Sequence, residues 1–109
     1  MQGGITVGAE ALSINGTGVV GNGALRNISG DNSWGGATTL AGNSEIQSDA
    51  GTLTLNTVTG ATRTLTFDGA GNGLIGGAIT TTTGGLIKNG TGALTLQGVN
   101  TYTGATAVN

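Results

Sequence analysis

Acid–base chemistry in this chain would have to rest on five carboxylates: Glu10, Asp31, Glu45, Asp49 and Asp68. Histidine and cysteine are both absent. The usual pairings of a nucleophile with an imidazole base, and thiolate chemistry altogether, are therefore excluded. Two carboxylates across a glycosidic bond would suffice for sugar hydrolysis. The pair nearest in sequence, Glu45 and Asp49, flanks Ile46 in what reads as a bend, where acidic residues ordinarily supply solubility. The stretch Phe67-Asp68-Gly69-Ala70-Gly71-Asn72-Gly73 has the glycine content of a calcium-binding nonapeptide. Such a site needs acidic ligands on successive turns, and only Asp68 is there, so a plain glycine corner is the better reading.

Two further features would serve binding rather than catalysis. Trp34, the sole tryptophan, is a conceivable platform for a sugar ring, set against a ring that covers apolar surface at a corner while its N–H finds a partner. Tyr102 reads as packing with its hydroxyl at an edge, and Phe67 as an inward residue of the Leu65 strand. The pairs Thr52-x-Thr54, Thr57-x-Thr59 and Thr62-x-Thr64-x-Thr66 resemble hydroxyl arrays that bind ice, but threonine also favours strands for steric reasons alone. The residues thus assign no catalytic, cofactor-binding or metal-binding position, and the chain is expected not to be an enzyme.

The elements that must carry these residues follow from composition. The 109 residues include 24 glycines, no proline, 36% hydrophobic, 3% aromatic and only 7% charged residues. A net charge of −2 and a mean hydropathy of +0.14 are unlike those of disordered chains. Glycine has no regular period of three, which excludes collagen. Apolar residues nowhere follow helical spacing, so the fold is expected to be all-β. Arg26, Arg63 and Lys88 are too few to track a phosphate backbone, so nucleic acid is not an expected partner. Neither a membrane-spanning apolar run nor a signal peptide is visible. Absence of cysteine leaves the compartment open, although it suits a chain that crosses a membrane as a thread.

Repetition supplies the architecture. Leu12, Leu53 and Leu94 are evenly spaced, with 53 − 12 = 41 and 94 − 53 = 41. The same offset relates Ile5, Ile46 and Ile87, then Ile14, Leu55 and Leu96, and the amides Asn15, Asn56 and Gln97. Each copy holds an apolar residue, a polar bend and an alternating strand of period two. Strands this short cannot offset their own ordering entropy, so they must stack. Further strands are expected around Ala24 to Ile28, Thr38 to Ala41, Thr64 to Phe67 and Leu74 to Ile79. One repeat unit is then about two rungs, and the chain roughly five rungs without caps, on the order of 25 Å tall at ~4.8 Å per layer. Gly69 to Gly73 and Thr80 to Gly85 read as corners, and residues 1–109 as one solenoid segment of a larger protein. If one repeat makes two rungs, Asn15, Asn56 and Gln97 lie on alternate rungs and cannot bond one another directly.

Residues 84–109, GGLIKNGTGALTLQGVNTYTGATAVN, resemble the autotransporter-associated β-strand repeat, also called the passenger-associated transport repeat. The resemblance rests on Leu86, Lys88, Gly90 and Gly92, on Leu94 to Leu96, on Gly98 and Asn100 to Gly104, and on Thr106 to Val108. Ala24 to Leu55, with ALRNISGDNSWGG, resembles material that accompanies such repeats. The copies at Ile5 and Ile46 lack the Asn-Thr-Tyr-Thr-Gly tail. The resemblance implies a right-handed parallel β-helix within the passenger of a large secreted or surface protein of a Gram-negative bacterium, anchored to the outer membrane through another part. It also implies a role in secretion and folding. The expected partners are neighbouring repeats of the same protein, or other copies stacked end to end since 105–109 would run smoothly into 2–7. A glycan- or ice-binding surface on an adhesin is the alternative function.

Overall fold

A computed structural model describes residues 1–8, 10–18, 21, 23–81, 83–98, 104 and 106–108. Its strands, in chain order, are β1 (Thr6–Val7), β2 (Leu12–Gly16), β3 (Leu25–Asn27), β4 (Asn32–Trp34), β5 (Thr38–Ser48), β6 (Thr52–Leu55), β7 (Val58–Thr59), β8 (Leu65–Asp68), β9 (Asn72–Ile75), β10 (Ile79–Thr80), β11 (Leu86–Lys88), β12 (Leu94–Leu96) and β13 (Thr106–Val108). Every ladder between them is parallel. Partners lie about one coil apart in sequence: Asn32 pairs Leu53, Leu53 pairs Gly73, and Gly73 pairs Leu94. The chain is therefore an all-β solenoid of stacked coils. Vertical neighbours are usually 20 or 21 positions apart, as Thr39 and Thr59 or Asp31 and Thr52 are. The repeat read from the sequence is thus two coils.

Three faces enclose the core. The first is the sheet ordered β1-β4-β6-β9-β12. The second stacks β2, the start of β5, β7 and β10 through Leu12, Thr38, Val58 and Ile79. The third stacks β3, the end of β5, β8, β11 and β13. The long strand β5 runs through both of the last two faces, which is why they form one continuous sheet.

Alternation sets the interior. Leu53 and Leu55 from the first face, Leu40 and Val58 from the second, and Ile46, Leu65 and Phe67 from the third are all buried, with Ile14, Ile75, Ile79 and Leu86. Each such apolar side chain contributes about 1.5–3 kcal/mol on leaving water, so a few per coil hold the stack together where no single strand could stand alone.

The columns expected from the sequence are only partly real. Leu53 and Leu94 do share an inward column, and Leu55 and Leu96 stack through Ile75. Leu12 is not in that column: it lies on the second face against Thr38. The reason is a longer first coil, in which Thr6 pairs Ser33 across an interval of 27. Ile14 departs in the same way and pairs Leu40. Ile5, Ile46 and Ile87 also fail as a column. Ile46 pairs Phe67 and Phe67 pairs Lys88, so the inward successor of Ile46 two coils on is Lys88 and not Ile87. Ile46 is buried, Ile87 faces outward and Ile5 is exposed. The corner after Phe67 is one residue shorter than the corner after Ile46, and a shift of one residue exchanges the faces of a strand.

The other expected strands are present with altered bounds. Thr38 to Ala41 is the beginning of the much longer β5, and Leu74 to Ile79 is split between β9 and β10 around Gly76-Gly77-Ala78. Glu45 lies within β5 rather than in a bend.

Candidate functional site

At each corner the chain leaves one ladder before joining the next, and backbone N–H groups there need substitute acceptors. Main-chain carbonyls of the preceding coil accept from several of them, as Ser48 does from Gly71 and Leu55 from Gly76, and side-chain oxygens of the preceding coil serve others. Asp31 Oδ1 accepts from the Thr52 N–H, Asn43 Oδ1 from the Thr64 N–H and Asn72 Oδ1 from the Ala93 N–H, each at 2.9 Å and each across an interval of 21. Short Asx side chains suit this because their oxygen lies one bond closer to the main chain than that of Glu or Gln. Asn32 Oδ1 serves the coil before it, accepting from the Ile5 N–H at 2.7 Å.

Next to Asp31, at the corner between β3 and β4, lies a buried amide cluster. Asn27 and Asn32 are fully enclosed, as is Ser48. Asn27 donates to Ser48 Oγ and to the Ala50 carbonyl, and Asn32 donates to Asn27 Oδ1 and to the Ser29 carbonyl. Because every group is partnered, the cluster fixes the corner instead of weakening it. These residues leave no mark at the repeat interval at which Asn15, Asn56 and Gln97 recur, because the latches work across one coil and the repeat spans two. The available signal was an Asp or Asn placed one coil before a strand-opening Thr or Ala. Of the amides expected on alternate coils, Asn56 donates to the Gly35 backbone carbonyl at 3.1 Å.

The carboxylates do not converge on a cleft. Asp49 is held by Arg26, whose Nε donates to its Oδ2 at 2.8 Å, and by Gln47, whose Nε2 donates to its Oδ1 at 2.6 Å. Those two donors keep its carboxyl below the ordinary aspartate range. Glu45 is different: burial, and secondarily the charge of Asp68, push its carboxyl above the ordinary glutamate range. Its Oε1 is enclosed and has no hydrogen-bond partner. It lines an open cavity of about 300 Å³ on the third face, with Thr17, Asn43, Ser44, Thr64, Thr66 and Ile87.

Asp68 closes β8, and its Oδ1 accepts the N–H of Gly69, which takes φ of +111° at the turn. That is corner chemistry: a side-chain acceptor next to a residue without a Cβ penalty. Among the described residues no group of three Asp or Glu is gathered as a metal would require. Trp34 is half-buried, packs against the core and donates its Nε1–H to the Glu10 carbonyl at 2.7 Å. Its ring is thus engaged in packing at the strand end. Phe67 is fully buried, facing inward. Tyr102 lies outside the described residues.

Threonine hydroxyls stack in single files rather than paired rows. On the second face Ser13, Thr39, Thr59 and Thr80 follow one another, with Thr39 Oγ1 and Thr59 Oγ1 at 3.3 Å. The outward file of the first face runs Thr6, Ser33, Thr54, Leu74 and Thr95, so a leucine interrupts it. Beside Thr54, Thr52 is stacked on Asn72. Lys88 is an inward residue of the third face, nearly enclosed, with its Nζ donating to the Asn89 carbonyl. The long aliphatic stem can fill the core column while the ammonium meets main-chain oxygen at the corner. No helix of the described residues is long and apolar enough to cross a membrane.

Comparison with known proteins places this geometry in context. The passenger-associated transport repeat family model matches residues 46–63 and 86–109. The second match coincides with the segment whose Leu-x-Lys-x-Gly-x-Gly opening and Leu-Thr-Leu strand carry the resemblance, and the first extends the likeness to the copy at Ile46. The adhesin BmaC autotransporter of Brucella suis biovar 1 (strain 1330) is 37% identical over 82% of the chain. The chain spans only 4% of the length of that relative. No solved structure matches the chain.

Proposed function

From a chain that carries passenger-associated transport repeats and is similar to part of an autotransporter adhesin, we propose that residues 1–109 form one length of the stalk of a secreted or cell-surface passenger, and that the segment is structural rather than catalytic. The stalk is a right-handed parallel β-helix of about five rungs, anchored to the outer membrane through another part of its parent protein. Its role during secretion is to fold outside the cell one coil after another, as a track that gives folding a direction.

The observation that carries this reading is the parallel pairing of each coil with the next at a nearly constant interval in sequence. A finished coil presents a complete row of main-chain donors and acceptors to its successor, so each addition needs only its neighbour. The corner latches act in the same sense, because Asp31, Asn43 and Asn72 hold out an acceptor for a residue that arrives one coil later. Low charge and absence of cysteine suit passage as an extended thread.

Mechanical unfolding of the chain between its termini tests this. The proposal expects contour-length steps that are multiples of one coil; steps unrelated to the coil length would contradict it. Neighbouring repeats of the same protein, or further copies stacked end to end, are the proposed partners. Light scattering over a concentration series tests the latter, with growing particle size expected and a strict monomer at high concentration against it.

A further inference from the structure

We propose that the cavity on the third face is a saccharide subsite, in which Glu45 accepts from a sugar hydroxyl and Ile87 supports the apolar face of the ring. Glu45, Thr66 and Ile87 are stacked neighbours in successive coils, so their side chains form one outward file about 10 Å long at the interstrand spacing. Thr17, Asn43 and Thr64 border the file and complete the cavity of about 300 Å³, a volume at the small end of ligand pockets. A short polar file ending in an isoleucine offers what a pyranose presents: hydroxyls at the rim and a C–H surface beneath.

Two independent features mark this place. Glu45 Oε1 finds no hydrogen-bond donor in the protein and has almost no solvent-accessible area, so a ligand hydroxyl meets it once the carboxylate turns toward the cavity that Glu45 lines. A buried acceptor without a partner costs free energy that a ligand hydroxyl would return, and a hydroxyl–carboxylate bond is among the stronger hydrogen bonds available. The first coil is also longer than its successors, since Thr6 and Ser33 are 27 positions apart where Asp31 and Thr52 are 21. The extra length falls in sequence between Gly16, which pairs Ser44, and Leu25, which pairs Ile46, and Thr17, next to Gly16, lines the cavity. Neutral sugars fit the site better than simple amines, because an amine would gain from the charge alone and have no use for Ile87 or the threonines.

This subsite goes beyond the stalk role and does not depend on it. The test titrates glucose, galactose, mannose, N-acetylglucosamine and glucosamine into the isotope-labelled chain, following backbone amide shifts. The expected result is saturable movement with at least one neutral sugar, centred on Glu45, Thr64, Thr66 and Ile87. Glu45→Gln should weaken that binding about tenfold by removing the charge from the acceptor, and Thr66→Val should weaken it while leaving the amide spectrum otherwise native. Trp34→Phe should leave it unchanged. Absence of saturable shifts at these residues, binding of glucosamine alone, or a Glu45→Gln variant with full affinity would each overturn the proposal.

Discussion

The ring of Phe67 fills the space that a side chain at Gly73 would take: a Cβ on Gly73 would stand 2.3 Å from Phe67 Cζ. Gly73 sits in the inward column between Leu53 and Leu94, and Phe67 reaches it across the core from the third face. One missing side chain and one oversized one are thus a single packing solution. Gly73→Ala should destabilise the chain by about 1–3 kcal/mol through overpacking, and Phe67→Leu should cost about 1–3 kcal/mol through the void it leaves. The double variant should cost less than the sum, because each change relieves the other. Denaturant titration of the four chains checks this; strict additivity would mean that the two positions do not share one space.

Thr38 offers the opposite kind of change. It is buried in the inward column of Leu12, Val58 and Ile79, and its Oγ1 has no hydrogen-bond partner. Thr38→Val keeps the β-branched shape and removes an unsatisfied hydroxyl, so it should stabilise by about 1 kcal/mol. A lower midpoint of unfolding for the valine variant would show that the hydroxyl is in fact used.

The corner latches should be separable from the ladders. Asn72→Ala removes the acceptor for the Ala93 N–H, and Asp31→Ala that for Thr52. Each should lose about 1 kcal/mol, with faster amide exchange confined to the N–H that it latches. Exchange that rises evenly along the chain would deny the latches a local role.

Stability against pH should reflect two carboxylates of opposite sign. The carboxyl of Asp49 is held low by Arg26 and Gln47, so its contribution is present above the unfolded-state range and is lost as the pH falls through its folded value. That of Glu45 is raised by burial and by Asp68, so the folded state is favoured on acidification through its folded value and penalised above it. Asp49→Asn should flatten the acid-side loss of stability, whereas Glu45→Gln should raise stability near neutrality and remove its pH-dependent penalty. Unfolding midpoints across an acid-to-neutral series measure both; unchanged profiles would contradict the assignment.

Much of the architecture was legible in the sequence because alternation of period two and a repeat interval are both local signals. Leu53 with Leu94, and Leu55 with Leu96, fell into true columns. Leu12 and Ile87 did not, since coil length varies at corners and an ungapped spacing cannot register a lengthened first coil or a single residue lost from a later corner. Phe67 was legible as an inward residue, and its relationship to Gly73 was not, because the two meet across the core from different faces. The same holds for Glu45: its place in β5, beside Thr66 and Ile87, is set by stacking between coils rather than by neighbours in the chain.

The stacking itself has a direct test, made clean by the absence of native cysteine. Thr39, Thr59 and Thr80 should be vertical neighbours in successive coils of the second face. Replacing Thr39 and Thr59 with cysteine, or Thr59 and Thr80, places each pair at a Cα separation of about 4.8 Å, within the range a disulfide spans. Mild oxidation followed by mass spectrometry should find the intramolecular disulfide in both double variants and little in the Thr39→Cys, Thr80→Cys pair, two layers apart. Pairs that stay reduced, or a Thr39–Thr80 link forming as readily as the others, would contradict the stacked parallel coils.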